Sequence, residues 1–111
     1  MHLHGTSKIN AEGRLEIGGC DVQLLAAEFG TPLYIVDEAL VRQRMREYMD
    51  AFRATGIPFQ VAYASKAFCT MAICAVAEQE GLSLDVVSGG ELYPALQAGF
   101  PAERIHFHGN N

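Results

Sequence analysis

An α/β fold built on a parallel βαβαβ unit is predicted for this 111-residue chain by three observations. Apolar strand openings recur at Phe59, Leu82 and Ile105, at equal intervals of 23 residues. A helical pattern fills each interval, and Gly81 and Gly99 stand where those two helices stop. Helical crossovers between parallel strands are right-handed, so the three strands run the same way and the sheet is covered on both faces. Half of the residues are hydrophobic, enough to bury a core.

Before that unit the chain is more mixed. Turns at His4-Gly5-Thr6-Ser7, Glu12-Gly13 and Gly18-Gly19 surround Arg14 to Ile17, whose alternation predicts an edge strand or hairpin arm. Asp21 starts a short helix with Val22, Leu25, Ala26 and Phe29 on one face and Gly30 as its stop. Leu33 to Val36 reads as a brief apolar strand after Pro32. Asp37 can cap the next helix, Glu38 to Arg53, where Val41, Met45, Tyr48 and Phe52 form a packing stripe. Glu38 with Arg42 and Arg46 with Asp50 are spaced for i,i+4 ion pairs.

After Gly56 and Pro58 the bulky Phe59, Val61 and Tyr63 alternate with Gln60, Ala62 and Ala64, the pattern of a first strand. The helix from Met71 to Glu80 places Ala72, Ile73, Val76 and Ala77 on one side. The second helix begins near Ser88, which with Glu91 matches a capping box, and runs through Leu92, Ala95 and Leu96. Pro94 cannot bond the carbonyl of Gly90, so the first turn is expected to be loose or the helix to start close to Glu91.

Composition narrows the function. A formal charge of -5, a pI near 5.2 and the lack of a Lys/Arg cluster argue against a nucleic-acid surface. Arg42, Arg44 and Arg46 read as the solvated side of their helix. No apolar run reaches the roughly 18 residues of a membrane span and no secretory h-region is visible, which points to the cytoplasm. Cys20, Cys69 and Cys74 fit reduced, buried thiols, and Cys69 reads as a small core residue. His2 and His4 read as exposed, and no metal site is expected. Small molecules or protein remain as partners.

Lys66 is the residue to explain, because the chain has two lysines, Lys8 and Lys66, against six arginines. It follows the first strand of the parallel unit. There it is either a rim lysine whose stem lies along apolar surface or an amine in a partly desolvated pocket, made nucleophilic by a lowered pKa. Lys66, Ser88 and His108 to Asn111 all fall at the C-terminal edge of the sheet, where α/β sheets and (β/α)₈ barrels place their sites.

YASKAF around Lys66, GLSLDVVSGGELYPALQAGFPAERIHFHGNN after it, and HGTSKINAEGRLEIGG and TPLYIVDEA before it closely resemble the bacterial diaminopimelate decarboxylases. Those are pyridoxal-phosphate (PLP) enzymes of the alanine-racemase-like barrel class. The resemblance implies that Lys66, as the lysine of Y-A-x-K-A, carries PLP as a Schiff base, since an exchangeable imine needs an amine. It implies decarboxylation of meso-2,6-diaminopimelate to L-lysine, with PLP as the electron sink. It further implies that 37–111 is the first part of a PLP-binding (β/α)₈ barrel. Residues 1–36 then belong to a second, β-rich domain of a homodimeric enzyme. A barrel of about 250 residues is longer than this chain, so the chain is expected to be an N-terminal fragment, inactive alone. The later histidine, glutamate, arginine and cysteine that the family uses for PLP and substrate lie outside it.

Asp85 matches the aspartate of the family's Asp-x-x-Ser and is expected to support the lysine, with a structural ion pair as the other reading. His108, near the rim and on one strand face with His106, is a candidate for lining the cofactor, or else a satisfied core histidine. Gly89-Gly90 could cradle a phosphate or simply form a tight turn between strand and helix. Two other functions compete with the decarboxylase: another barrel-type PLP protein, such as an ornithine or arginine decarboxylase, a racemase or a PLP carrier, and a small α/β binding module with Lys66 at its rim.

Overall fold

The computed structural model describes residues 3–109. The expected exposure of His2 and the placement of Asn110 and Asn111 at the site edge lie outside the described residues. The chain divides into two compact units, 1–43 and 44–111.

In the first unit three short strands, β1 (Lys8–Ile9), β2 (Leu15–Ile17) and β3 (Cys20–Asp21), form an antiparallel sheet in that order. The segment predicted as an edge strand or hairpin arm is therefore the middle strand, because both Lys8–Ile9 and Cys20–Asp21 pair with it. Asn10 makes the first hairpin turn: its side-chain oxygen accepts from the N–H of Glu12 and Arg14 at 3.1 and 2.9 Å. Gly5 has φ 59°, which L side chains rarely adopt, so the HGTS turn favours glycine there; a Cβ would also press on Leu40 Cδ2, the movable end of its side chain. Helix α1 (Val22–Phe29) is capped by Asp21, whose Oδ1 accepts from Gln23 and Leu24 N–H, and ends at Gly30 (φ 83°). Leu33 to Val36 is not a strand, since no neighbouring backbone pairs with it among the described residues. His4 is exposed, and so is Cys20, against the expectation of buried thiols; it opens a two-residue strand directly after the Gly18-Gly19 turn.

Helix α2 (Glu38–Arg53) starts at Asp37, whose Oδ1 accepts from Leu40 N–H at 3.1 Å. The Arg42–Glu38 pair forms at 2.8 Å, while Arg46 forks onto Glu80 at 2.6 and 2.8 Å. Of the predicted stripe only Met45 is buried; Tyr48 and Phe52 are exposed, although the Phe52 ring stacks on Phe59 with centroids 5.7 Å apart.

In the second unit β4 (Ala62–Ala64), β5 (Ser83–Val86) and β6 (Ile105–Phe107) form a parallel sheet in sequence order, as predicted. The first strand starts at Ala62 rather than Phe59; of the preceding residues Val61 still accepts a ladder bond, from Ser83 N–H at 2.9 Å. Helices α3 (Met71–Gln79) and α4 (Gly89–Gln97) connect the strands. Both end in the same six-residue closure. Gly81 and Gly99 adopt positive φ, and the next N–H, of Leu82 or Phe100, returns to Ala77 O or Ala95 O at 2.9 and 3.0 Å. The closure drives Leu82 and Phe100 into the core, where they are 4% and 3% exposed. Helix α4 begins at Gly89 despite Pro94, because Ser88 O accepts from both Glu91 and Leu92 N–H and closes a tight first turn.

The register gives the sheet two unlike faces. Tyr63, Leu84, Val86, Ile105 and Phe107 share one, and Ala62, Ala64, Ser83, Asp85 and His106 share the other. The first packs with Ile73, Cys74, Val76, Ala77 and Ala95, and Leu84 and Val86 are fully buried. The second is small and polar. Ala62, Ala64 and His106 are exposed on it although Ser83 is buried, so the predicted cover of both faces is incomplete on this one among the described residues.

Candidate functional site

The site grows from a short turn. After β4 the chain makes one 3₁₀ turn, Ser65–Ala67, closed by Phe68 N–H donating to Ser65 O at 3.1 Å. The Tyr63 hydroxyl reaches over the turn and donates to Phe68 O at 2.8 Å. Burial pushes the Tyr63 phenol above its usual range, helped by the nearby Cys69 and Cys74 thiols, so it remains a donor at neutral pH. On the other side Ser65, fully buried, places its hydroxyl 2.8 Å from Asp85 O and 2.8 Å from Glu91 Oε2. The backbone that carries Lys66 is therefore fastened at both ends.

The Lys66 side chain is not. It is exposed, and among the described residues its Nζ has no hydrogen-bond or ion-pair partner, whereas Lys8 pairs with Glu16 at 3.0 Å. Of the two readings of Lys66, the solvated position at the strand end describes the chain as it stands. An exposed amine without a partner among the described residues, on a turn fastened at both ends, is placed to engage a ligand.

Asp85 and His108 come together. Adjacent strands put Asp85 beside Ala64 and His106, and His108 N–H donates to Val86 O at 3.0 Å, which brings the His108 ring over the end of β5. His108 Nε2 lies 3.0 Å from Asp85 Oδ2. The other carboxylate oxygen, Asp85 Oδ1, is buried with no hydrogen-bond partner. An unmet acceptor of this kind is costly unless something donates to it. The partner carboxylate for His108 is not visible in sequence, because the two residues are 23 positions apart.

Gly89-Gly90 do not form a separate tight turn between strand and helix: both residues are in the first turn of α4. A Cβ at Gly89 would meet nothing within 4 Å, and one at Gly90 only Ser88 Oγ at 3.7 Å, so packing does not require glycine at either place. Ser88 Oγ caps α4 through Glu91 N–H at 3.3 Å. Cys69 is half-buried rather than buried, with its Sγ 3.5 Å from Glu91 O. It precedes Thr70, the cap of α3, at the rim of the core. Cys74 is fully buried, and burial first, then the neighbouring Cys69, pushes its thiol up to about 11. Sequence reasoning missed Ser65 and Glu91 as parts of the site, since a serine beside a lysine and a glutamate three residues past a cap are both commonplace. No group of three or more His, Cys, Asp or Glu gathers for a metal, and no helix is long and apolar enough to cross a membrane, among the described residues.

Residues 38–111 match the family described as pyridoxal-dependent decarboxylase, pyridoxal binding domain. The whole chain is 63% identical to diaminopimelate decarboxylase of Bacillus subtilis, and 96% of it aligns at 47% identity with that of Staphylococcus aureus. It spans 25% of the length of each. The crystal structure of diaminopimelate decarboxylase from M. jannaschii superposes with a TM-score of 0.85 at 41% identity, over 96% of this chain and 25% of that one. The same enzyme has been crystallised in co-complex with L-lysine, with the same TM-score of 0.85.

Proposed function

The chain belongs to the pyridoxal-dependent decarboxylase family, and from that membership we propose that it is the N-terminal part of a diaminopimelate decarboxylase, which converts meso-2,6-diaminopimelate to L-lysine and carbon dioxide. The main support is the 63% identity to such an enzyme across every residue of the chain. L-lysine, the proposed product, is the molecule named with the M. jannaschii relative.

The residues present fit the cofactor. PLP, when bound, supplies an electron sink for the charge left as carbon dioxide departs. Lys66 would hold it covalently through Nζ, a role for which a primary amine without a partner among the described residues, on a fixed turn, is suited. The small face made by Ala62 and Ala64 leaves room against the sheet, and the buried, unpaired Asp85 Oδ1 waits for a donor. Asp85 supports the lysine and orients His108, which lines the cofactor from the rim. Residues 37–111 open the barrel, 1–36 join a second, β-rich domain, and the whole enzyme is a cytoplasmic homodimer.

The experiment uses the full-length protein that contains this chain. Incubation with meso-2,6-diaminopimelate and PLP is expected to release carbon dioxide and L-lysine, and borohydride reduction to fix the cofactor's mass on the peptide holding Lys66. Release of carbon dioxide from ornithine or arginine but not from diaminopimelate would replace the substrate; labelling of a different lysine would remove the role of Lys66.

A further inference from the structure

Glu91 occupies the third position of α4, where the sequence makes it half of a capping box, and its carboxylate does something else. In that box the glutamate reaches back to the cap residue's own N–H. Here Glu91 Oε2 accepts from Val87 N–H at 2.9 Å, one residue further back, and stands 2.8 Å from Ser65 Oγ. Ser65 directly precedes Lys66, and its hydroxyl also reaches Asp85 O at 2.8 Å. One carboxylate oxygen thus joins the loop after β5 to the turn carrying Lys66 and, through Ser65, to the strand carrying Asp85.

We propose that Glu91 is a positioning residue for Lys66: through Ser65 it fixes the 3₁₀ turn that sets where the lysine amine points relative to Asp85. This rests on the reading of Lys66 as the residue that holds PLP. The physical reason is that Lys66 Nζ ends a four-carbon stem with no partner of its own among the described residues, so its aim is inherited from the backbone. Tyr63 secures the far end of the turn at Phe68 O, and the Ser65–Glu91 contact secures the near end against two other elements. A shift of about 1 Å in a reacting group costs on the order of a hundredfold in rate.

The chemistry of the contact supplies a discriminating pair of variants. Ser65 Oγ has one hydrogen and faces two acceptors, Asp85 O and Glu91 Oε2. Glutamine at 91, with its side-chain oxygen where Oε2 stands, still accepts from Val87 N–H and still faces Ser65 Oγ with an acceptor. Glu91→Gln therefore preserves the connection without the charge, and Glu91→Ala removes it.

Both are to be made in the full-length protein. In the apoenzyme, amide exchange at Val87 and at 65–67 is expected to quicken in Glu91→Ala and to stay near the native rate in Glu91→Gln. With PLP added, Glu91→Ala is expected to attach the cofactor to Lys66 more slowly and to lose kcat by roughly tenfold to a hundredfold with little change in KM, while Glu91→Gln recovers most of that loss. Native exchange, attachment and kcat in Glu91→Ala would overturn the proposal, as would a Glu91→Gln enzyme no better than Glu91→Ala. Should Glu91→Ala not fold, Ser65→Ala deletes only the hydroxyl and carries the same expectations and the same refutation. Cofactor fixed to another lysine in the native enzyme sinks both this inference and the reading beneath it. Cofactor on Lys66 together with an unaffected Glu91→Ala sinks the inference alone.

Discussion

His108 Nε2 and Asp85 Oδ2 meet at 3.0 Å across the C-terminal ends of β6 and β5, and the second oxygen of the same carboxylate is buried without a partner. The pair joins an exposed ring, 63% accessible, to a carboxylate that is 27% accessible. The carboxylate thus anchors the imidazole at the rim while still owing a hydrogen bond inward.

Asp85→Asn and His108→Ala are therefore expected to differ in the full-length enzyme. Removing the aspartate charge affects both the His108 anchor and whatever donates to Oδ1. A bond to a charged group contributes about 1.5–3 kcal/mol when sheltered, and the exposure of His108 discounts its own share. Titrating PLP by absorbance is expected to show on the order of tenfold weaker binding for Asp85→Asn and a smaller loss for His108→Ala. Equal and native affinity in both variants would make the pair structural.

Acid is expected to loosen the N-terminal unit. Burial alone would raise the Asp21 carboxyl, but hydrogen bonds from Leu24 and Gln23 N–H, then Asn10 and the charge of Arg14, hold it below the ordinary 3.8. Asp37 is held below 3.8 by the Thr6 hydroxyl first and by Leu40 N–H. The folded state thus keeps both groups ionised at pH values where the unfolded chain takes up protons. Their contribution is complete above about pH 4 and is lost as pH falls through the lowered folded values. Protection of the Leu24 and Leu40 amides, measured against their intrinsic exchange rate at each pH, is expected to fall below about pH 4; constant protection down to pH 2 would refute the assignment.

Thiol labelling is expected to follow exposure. Cys20 is exposed, Cys69 half-buried and Cys74 fully buried, with a thiol pushed up to about 11. Iodoacetamide at pH 8 is expected to modify Cys20 first and to spare Cys74 in the native chain, since the thiolate is the reactive form. Early alkylation of Cys74 would contradict the packing of α3 against the sheet.

Much of the fold was legible because its cues are local. Gly81 and Gly99 close helices by their own backbone freedom, and Asp21, Asp37 and Ser88 cap helices within three residues of their partners. What periodicity could not show was pairing: Phe59 and Leu33 to Val36 carry strand character but find no ladder, and Arg14 to Ile17 proved central because of its neighbours. The site divides the same way. Lys66 stood out by rarity and position, whereas the Asp85–His108 and Ser65–Glu91 contacts span 23 and 26 positions and depend on register.

Lys66 yields the sharpest separation of readings. If its amine carries PLP, Lys66→Ala in the full-length enzyme loses the covalent adduct, the near-visible absorbance and nearly all decarboxylation. Lys66→Arg tests whether charge at the position is enough. A guanidinium keeps the positive charge and comparable reach, yet it stays protonated and cannot condense with an aldehyde. Arginine is therefore expected to restore neither adduct nor turnover, even though it satisfies any neighbour that merely needs a cation, Asp85 included. A rim lysine that only solvates the strand end predicts the opposite, because arginine lies along an apolar surface as readily as lysine does. Near-native turnover in Lys66→Arg would thus return Lys66 to the surface and leave the attachment point to be found elsewhere.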